Sequence, residues 1–286
     1  ADPMWPTAAT PGNSGKTRLA VLEVDEGSLL PLSQLLTEVD MVMVTNLFPD
    51  QLDRYGSVTA LTERMKQALA NWPQATLLLN ADDPLVSSFG HDRAQTHYFT
   101  VETADDDPAV MNGESGEVSL CPLCGQTLQF SSRRYAHLGC YACPACGFSW
   151  PQVLVASYLL QDKEQPGTGL LVRTASKKAE FHSTLTGLYN VYNITAALAA
   201  TLVLQPETKL ASLTPVVTTF RAPAGRTETF TWPNQGKQGT LVLVKNPAGF
   251  NQALTTLANT PESAATTLVV AINDLPADGR DISWLW

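Results

Sequence analysis

The chain has 286 residues, of which 44% are apolar and 16% charged, and its formal net charge is −9. This apolar fraction is typical of globular proteins, and the length predicts two domains that can each bury a core. Nowhere does the sequence contain an apolar run of about 18–20 residues, the length that a membrane-spanning helix needs. Composition therefore excludes membrane-spanning helices, and the net negative charge argues against nucleic acid as a partner.

The two ends of the chain indicate a fragment of a longer polypeptide. Residues 1–17 are interpreted as a tag remnant and a flexible loop, because Ala1–Pro3 precedes Met4 and small residues and prolines follow. Within this stretch, Gly12–Thr17 is similar to a short phosphate loop. Such a loop needs a preceding strand and a following helix, and neither is predicted there. At the other end the chain stops on Trp286, where an ordinary domain would continue.

Strand and helix patterns alternate along the first third of the chain. Apolar runs of strand length predict strands at Arg18–Asp25, Asp40–Asn46 and Ala75–Asn80. Apolar stripes predict a short helix over Leu32–Val39 and a longer helix over Ser57–Trp72, with Ser57 as its N-cap. This βαβαβ pattern predicts an α/β fold with a parallel sheet and helices on both faces.

Polar side chains lie at the carboxyl ends of these three predicted strands, at Glu23–Glu26, Thr45–Asn46 and Asn80–Asp83. Ligands of open parallel sheets bind at the carboxyl ends of the strands. Carboxylates and amides gathered there suit a hydrated Mg²⁺ and a nucleotide. The same residue types also form helix N-caps and turns, so the spacing alone leaves both interpretations open.

The cysteine spacing predicts a closed zinc site. Cys121 and Cys124 form one CxxCG unit, Cys143 and Cys146 form another, and eighteen residues separate the two units. Four thiolates fill the tetrahedral positions around zinc, so the metal is expected to be structural rather than catalytic. The alternative is two disulfides in a secreted domain. The fifth cysteine, Cys140, is interpreted as a small apolar residue that could substitute as a ligand or oxidise.

The second half of the chain continues the α/β pattern after this cysteine ribbon. A helix is predicted over Leu188–Leu204 and a second helix after Phe250, with a domain boundary near Pro223. The predicted strands lie near 152–160, 168–174 and 179–185, and then at Thr227–Trp232, Thr240–Val244 and Thr267–Ile272.

Several further motifs are distributed over residues 18–286: Ala20–Glu26, Val44–Gly56, Leu79–Pro84, Gly187–Asn193, Gly225–Glu228, Val244–Gly249 and Ala277–Trp284. Together with the four-cysteine insertion, they resemble the MurT branch of the Mur ligase superfamily. The resemblance implies a Mur ligase-type central domain over 18–222, with the zinc ribbon inserted at 115–150. It also implies that residues 223–286 are the start of a C-terminal α/β domain of the MurT type, which is partial because it is truncated here.

The same resemblance implies an ATP-dependent carbon–nitrogen ligase of peptidoglycan biosynthesis. Mur-type ligases transfer the γ-phosphoryl group of ATP to a carboxylate, and an amine then attacks the acyl phosphate. In the MurT branch the carboxylate is the α-carboxyl of D-glutamate in lipid II. The amine is ammonia, which a GatD-type glutaminase releases as the partner in a heterodimer. We therefore expect a cytoplasmic ligase subunit that uses ATP and Mg²⁺ at the inner face of the cell membrane.

Site residues follow from the resemblance where the motifs match. Glu23 matches a Mg²⁺-binding glutamate at a strand end, and Asp278 and Asp281 are candidates for the acid that completes the glutaminase site of the partner. Other residues are expected to contact the nucleotide or to shape its phosphate and metal region: Asn46, Asp50, Asn190, Asn193, Arg226 and Asn246. For the asparagine pair on the helix, expected to face the adenine, the alternative is helix capping.

One departure from the family pattern and two alternatives remain. The sequence has no phosphate loop in a usable context before Glu23, so the fragment alone is expected to be inactive. One alternative is another Mur-like amino-acid ligase, which would need no glutaminase. The other is a non-enzymatic zinc-ribbon scaffold that binds nucleic acid or protein, for which Arg133 and Arg134 beside Tyr135 are the one indication.

Overall fold

A computed structural model describes residues 19–48, 57–102, 120–160, 167–221, 227–232, 237–244, 247–258 and 266–271. Its strands are β1 (Met41–Val44), β2 (Thr76–Asn80), β3 (Thr96–Glu102), β4 (Gln129–Tyr135), β5 (Leu138–Ala142), β6 (Val155–Leu160), β7 (Thr168–Arg173), β8 (Lys178–Ser183), β9 (Thr227–Trp232) and β10 (Lys237–Val242). Its helices are α1 (Leu29–Leu35), α2 (Val58–Ala70), α3 (Pro84–Ser88), α4 (Leu188–Leu204), a 3₁₀ turn (Leu210–Leu213), α5 (Thr214–Thr219) and α6 (Pro247–Ala258). No helix of these described ranges is long and apolar enough to cross a membrane.

A six-stranded sheet in the order β1-β2-β3-β6-β7-β8 forms the centre of the fold. The first four strands are parallel, and β7 and β8 extend the sheet in antiparallel pairs. The hairpin of β4 and β5 lies in the connection between β3 and β6, which pair with each other. The predicted α/β architecture with its inserted ribbon is therefore confirmed, and the sheet is mixed rather than wholly parallel.

Two apolar cores cover the two faces of this sheet. In β2, Leu77 and Leu79 belong to the core with α1 and α2, and Leu78 belongs to the core with α4. All three leucines are fully buried. Successive residues of a strand point to opposite faces, so a continuous apolar run such as this one requires cover on both sides.

Helix α2 begins as the sequence predicts. The Ser57 hydroxyl accepts a hydrogen bond from the backbone N–H of Ala60 at 3.1 Å. We expect Ser57→Ala to lower the free energy of unfolding by about 1 kcal/mol, because this N–H then loses its capping partner. Urea unfolding checks this, with Ser176→Ala on an exposed turn as the control; equal midpoints for the two variants would contradict the capping role.

Three predicted elements are wrong or displaced. Residues 19–25 form no strand, and Val21 is 81% exposed, so this apolar run lacks the burial that stabilises a strand. Helix α1 starts and ends a few residues earlier than predicted. Just before it, the Asp25 carboxylate accepts hydrogen bonds from the backbone N–H and the hydroxyl of Ser28. Residues 267–271 of the last predicted strand also have no regular structure, and Val269 is 82% exposed.

Strand β3 lies in the middle of the sheet, yet it was not predicted. Its sequence, THYFTVE, is rich in β-branched and aromatic residues, which is typical of a strand. Helix α4 agrees with its prediction, while β10 begins three residues before the predicted Thr240.

Candidate functional site

The loops that follow β1 and β2 meet the first turns of α4 at the carboxyl edge of the sheet. The backbone N–H of Leu47 donates to Asp83 Oδ2 at 2.8 Å, which joins the two loops. The hydroxyl of Tyr192 on α4 donates to Asp82 Oδ2, also at 2.8 Å. The structure therefore brings the loop of Asn46 and the helix of Asn190 to the same edge of the parallel strands.

Asp82 is the centre of a buried polar network at this edge. Its side chain is fully buried, and its two oxygens accept hydrogen bonds from five groups at 2.7–3.1 Å. The donors are the Thr100 hydroxyl, the Val101 backbone N–H, the Arg134 guanidinium, the Trp150 indole N–H and the Tyr192 hydroxyl. Two of these donors, Arg134 and Trp150, come from the ribbon, so Asp82 connects the ribbon to the sheet and to α4.

Burial and charge act in opposite directions within this network. Burial raises the pKa of Asp82, and the Arg134 guanidinium and the side-chain donors lower it in part. For Arg134, burial lowers the pKa, but the Asp82 carboxylate, Tyr192 and Cys140 together more than offset this effect and the net pKa is raised. Burial also raises the pKa of Tyr192, so its hydroxyl keeps the proton that it donates. The guanidinium at 2.8 Å and the four other donors favour the ionised carboxylate.

The neighbouring carboxylate, Asp83, holds the loops in place. Its Oδ1 accepts from the backbone N–H groups of Leu85 and Val86, which caps α3. Its Oδ2 lies 3.2 Å from Nε2 of His137, a buried residue in the turn of the ribbon hairpin. The His137 ring also contacts Phe48 edge-on, with ring centroids 4.9 Å apart. The ribbon thus reaches both the β2 loop and the β1 loop.

Three of the predicted nucleotide-site residues lie in described positions at this edge. Asn46 is half-buried in the loop after β1, Asn190 is half-buried in the first turn of α4, and Asn193 is exposed one turn further. The Asn190 amide donates to the backbone oxygen of Thr186 at 2.7 Å, and its own oxygen remains an acceptor. This bond is not the helix cap of the alternative interpretation, since Gly187 is the N-cap of α4 and no side chain caps the helix.

The other predicted site residues either differ from the expected position or lie outside the described residues. Glu23 is exposed in irregular backbone before α1 and not at the end of a strand, so the expected strand-end position is wrong. The remaining site residues, together with the loop at Gly12–Thr17, lie outside the described residues: Asp50, Arg226, Asn246, Asp278 and Asp281.

The four cysteines of the CxxCG units form a cluster that can hold a metal ion, since their sulfurs lie within 4.8 Å of one another. The Sγ–Sγ distance is 3.6 Å for Cys121 and Cys146 and 3.5 Å for Cys124 and Cys143. Zinc–sulfur bonds of about 2.3 Å place tetrahedral sulfurs about 3.8 Å apart, whereas a disulfide needs about 2.05 Å. The cluster fits four-coordinate zinc and not the disulfide alternative.

The backbone of each CxxCG unit prepares its sulfurs for a cation. Gly125 and Gly147 adopt φ values of 76° and 80°, which residues with a Cβ rarely adopt, and this closes both turns. The backbone N–H of Cys146 lowers the pKa of the Cys143 thiol to about 7. For Cys124, the backbone N–H of Gln126 lowers the pKa, but burial and the other three sulfurs raise it to about 12. A bound cation would offset the repulsion between these closely spaced thiolates.

Cys140 lies outside this cluster. Its sulfur accepts a hydrogen bond from Arg134 Nη2 at 3.3 Å, so it partners the arginine that pairs with Asp82. Sequence analysis did not identify this role or the network around Asp82. Arg134 was an indication only for the scaffold alternative, but its side chain is buried.

Two open clefts of about 420 and 300 Å³ occur in the described part of the chain. The larger lies on the ribbon, against Phe130, Tyr141 and Trp150. The smaller lies between the ribbon and α3, against Ser87 and Phe148. Neither is lined by the loop after β1 or by α4, so neither coincides with the polar edge of the sheet.

Comparison with known proteins matches the chain at both ends. The family model described as Mur ligase middle domain matches residues 8–133, and the model described as MurT ligase C-terminal matches residues 243–286. Two curated relatives are each described as "Lipid II isoglutaminyl synthase (glutamine-hydrolyzing) subunit MurT". The Streptococcus pneumoniae protein is 33% identical over 97% of this chain, and that of Staphylococcus aureus strain COL is 32% identical over 95%. The chain spans only 59% and 58% of their lengths.

Solved structures show the same fold. A pseudomurein peptide ligase type C from Methanothermus fervidus is 29% identical, with a TM-score of 0.62 over 76% of this chain and 41% of that protein. MurF from Acinetobacter baumannii is 12% identical, with a TM-score of 0.53 over 81% of this chain and 40% of that protein. The latter similarity concerns the fold alone.

Proposed function

Because this chain belongs to the Mur ligase family and its curated relatives are MurT subunits, we propose that the full-length protein is the ligase subunit of a lipid II isoglutaminyl synthase. The observation that carries the proposal is the 33% sequence identity to a curated MurT subunit over 97% of this chain, together with the match of the MurT C-terminal model to residues 243–286. The polar carboxyl edge of the sheet supports it, because ligands of such sheets bind there.

The proposed reaction has two steps. A carboxylate oxygen of the D-glutamate residue attacks the γ-phosphorus of ATP, the bond between that phosphorus and the β,γ-bridging oxygen breaks, and ADP leaves. Ammonia then attacks the acyl carbon, loses a proton, and expels phosphate, which carries away one of the original carboxylate oxygens. The product is the D-isoglutamine amide. In such phosphoryl transfer the protein contributes mainly positioning and charge neutralisation.

The predicted site residues would divide this work between the base and the phosphates. Asn190 and Asn193 on α4 would face the adenine, whose ring edge takes both a donor and an acceptor. Asn46 and the following Asp50 would shape the phosphate and metal region, with Glu23 as a ligand of Mg²⁺ and Arg226 and Asn246 near the ribose and phosphates. When bound, Mg²⁺ neutralises charge on the phosphate oxygens.

The proposed partner is a GatD-type glutaminase that forms a heterodimer with this protein and supplies ammonia. Asp278 or Asp281 would complete the glutaminase site of that partner. Because lipid II is a membrane-bound substrate, the complex would work in the cytoplasm at the inner face of the membrane. The ribbon metal is proposed to be structural zinc, since the four cysteines close its coordination shell.

A second candidate is a ligase that adds an amino acid instead of ammonia, and the similarity to the pseudomurein peptide ligase favours it. The two candidates differ in the nucleophile.

We expect the full-length protein with its glutaminase to amidate lipid II only when ATP is present together with glutamine or ammonia. Mass spectrometry of the stem peptide detects the amide. Addition of an amino acid without glutaminase, or no amidation by a folded complex, would reject the MurT assignment.

Asn193 allows a direct test of the nucleotide position. We expect Asn193→Ala to weaken binding of a non-hydrolysable ATP analogue with Mg²⁺ by about 2- to 10-fold, because one hydrogen bond to the base is lost. Isothermal titration calorimetry on the full-length protein measures this. Asn71→Ala, at the end of α2, is the matched control and should bind as the wild type does; equal affinities for both variants would place the adenine elsewhere.

A further inference from the structure

The ribbon contacts the candidate nucleotide edge through a defined set of bonds that begins at the metal cluster. The backbone N–H of Cys143 donates to the oxygen of Phe148 at 2.7 Å, and Ala142 pairs with Ser149. The backbone N–H of Trp150 then donates to the oxygen of Tyr141 at 2.9 Å. The fold of the second CxxCG unit therefore sets the position of Trp150.

Trp150 and the ribbon hairpin in turn fix Asp82 from three directions. The Trp150 indole donates to Oδ1 at 2.9 Å, and Arg134 donates to the same oxygen at 2.8 Å. The backbone N–H of Gly139 donates to the backbone oxygen of Asp82, again at 2.8 Å. A carboxylate held this way has little freedom to move without breaking charge-assisted bonds.

The other oxygen of Asp82 receives the bond from α4. Tyr192 donates to Oδ2 at 2.8 Å, is 1% exposed, and lies between Val191, which packs in the core, and Asn193. A shift of Asp82 would therefore move the first turns of α4, where both asparagines of the proposed adenine contact lie.

We propose that the cysteine ribbon is a positioning element for the nucleotide: Arg134 and Trp150 fix Asp82, and Asp82 fixes the asparagine-bearing turns of α4 through Tyr192. These are positioning residues, because none of them needs to touch the nucleotide. The inference rests on the proposed function, since it takes the carboxyl edge of the sheet as the ATP site.

The test removes single donors from the network in the full-length protein and measures the affinity for a non-hydrolysable ATP analogue with Mg²⁺. Trp150→Phe and Tyr192→Phe each delete one hydrogen bond to Asp82 and keep the ring. We expect each variant to weaken nucleotide binding by about 2- to 30-fold. Mutations along a network of contacts change the affinity of a distant binding site by about this much. The double variant should lose less than the product of the two losses, because both act through Asp82.

Trp72→Phe is the matched control. The Trp72 indole also donates a buried bond, to the oxygen of Leu36 at 2.6 Å, but Trp72 precedes β2 and lies at the opposite end of that strand. We expect it to lower the melting temperature as Trp150→Phe does and to leave the nucleotide affinity unchanged.

The outcomes separate the two proposals. If the wild type binds the analogue and the variants Trp150→Phe and Tyr192→Phe bind it equally well, the ribbon does not position the nucleotide. The same conclusion follows if Trp72→Phe weakens binding as much as these two variants do. In both cases the proposed function stands. If the wild-type protein binds no nucleotide, the proposed function fails and this inference fails with it.

Discussion

Replacing Cys121 and Cys124 by serine is expected to abolish metal binding, from about one zinc per chain to about none. The two sulfurs are half of a cluster whose members all lie within 4.8 Å of one another, and serine hydroxyls are poor ligands for zinc. In the part of the ribbon that the structure describes, the apolar core cluster is small, with five buried residues: Cys121, Leu128, Tyr141, Cys143 and Phe148. A core of this size does not fold without its metal, so the ribbon should unfold locally.

Elemental analysis gives the metal content, and hydrogen exchange of the β4 and β5 amides reports the unfolding. Cys140→Ser is the matched control, because Cys140 contacts Arg134 and not the cluster. It should keep its zinc and its protected amides. An unchanged metal content in the double variant, or zinc loss in the control, would refute the ligand set.

Asp82→Ala is expected to cost about 3–5 kcal/mol of unfolding free energy, the cost typical of breaking a buried ion pair. The variant leaves the Arg134 guanidinium buried with its main partner removed, and it also takes the acceptor from Thr100, Trp150 and Tyr192. Urea denaturation of the full-length protein measures the loss.

The paired variant shows whether the unpaired charge causes this cost. Asp82→Ala combined with Arg134→Met should recover part of the loss, because no guanidinium is then left buried alone. Asp92→Ala, on an exposed turn, should change the stability little. A loss for Asp82→Ala no larger than that for Asp92→Ala would show that the network does not stabilise the fold.

The features that the sequence predicted well depend on residues close together in the chain. The CxxCG units set the metal cluster, because each turn positions two sulfurs through local backbone geometry. The Ser57 cap is equally local, since its partner lies three residues away. The apolar run of β2 indicated cover on both faces, and the cores on either side confirm this.

The features that it missed depend on distant contacts. Asp82 meets Arg134, Trp150 and Tyr192 across 52, 68 and 110 residues of sequence, and no periodicity reveals such pairs. The same limit explains the wrong strand at 18–25. Its apolar pattern matches a strand, but a pattern does not indicate whether a neighbouring strand covers it, and Val21 is largely exposed.

In the proposed reaction ATP activates a carboxylate, and the transfer of a carboxylate oxygen to phosphate reveals this step. Lipid II with ¹⁸O in the α-carboxyl of D-glutamate would be incubated with the full-length protein, its glutaminase, glutamine, ATP and Mg²⁺. An acyl phosphate predicts that the released inorganic phosphate carries one ¹⁸O atom for each amide formed. Amidation that yields phosphate free of ¹⁸O would contradict carboxylate activation and the function proposed for this chain.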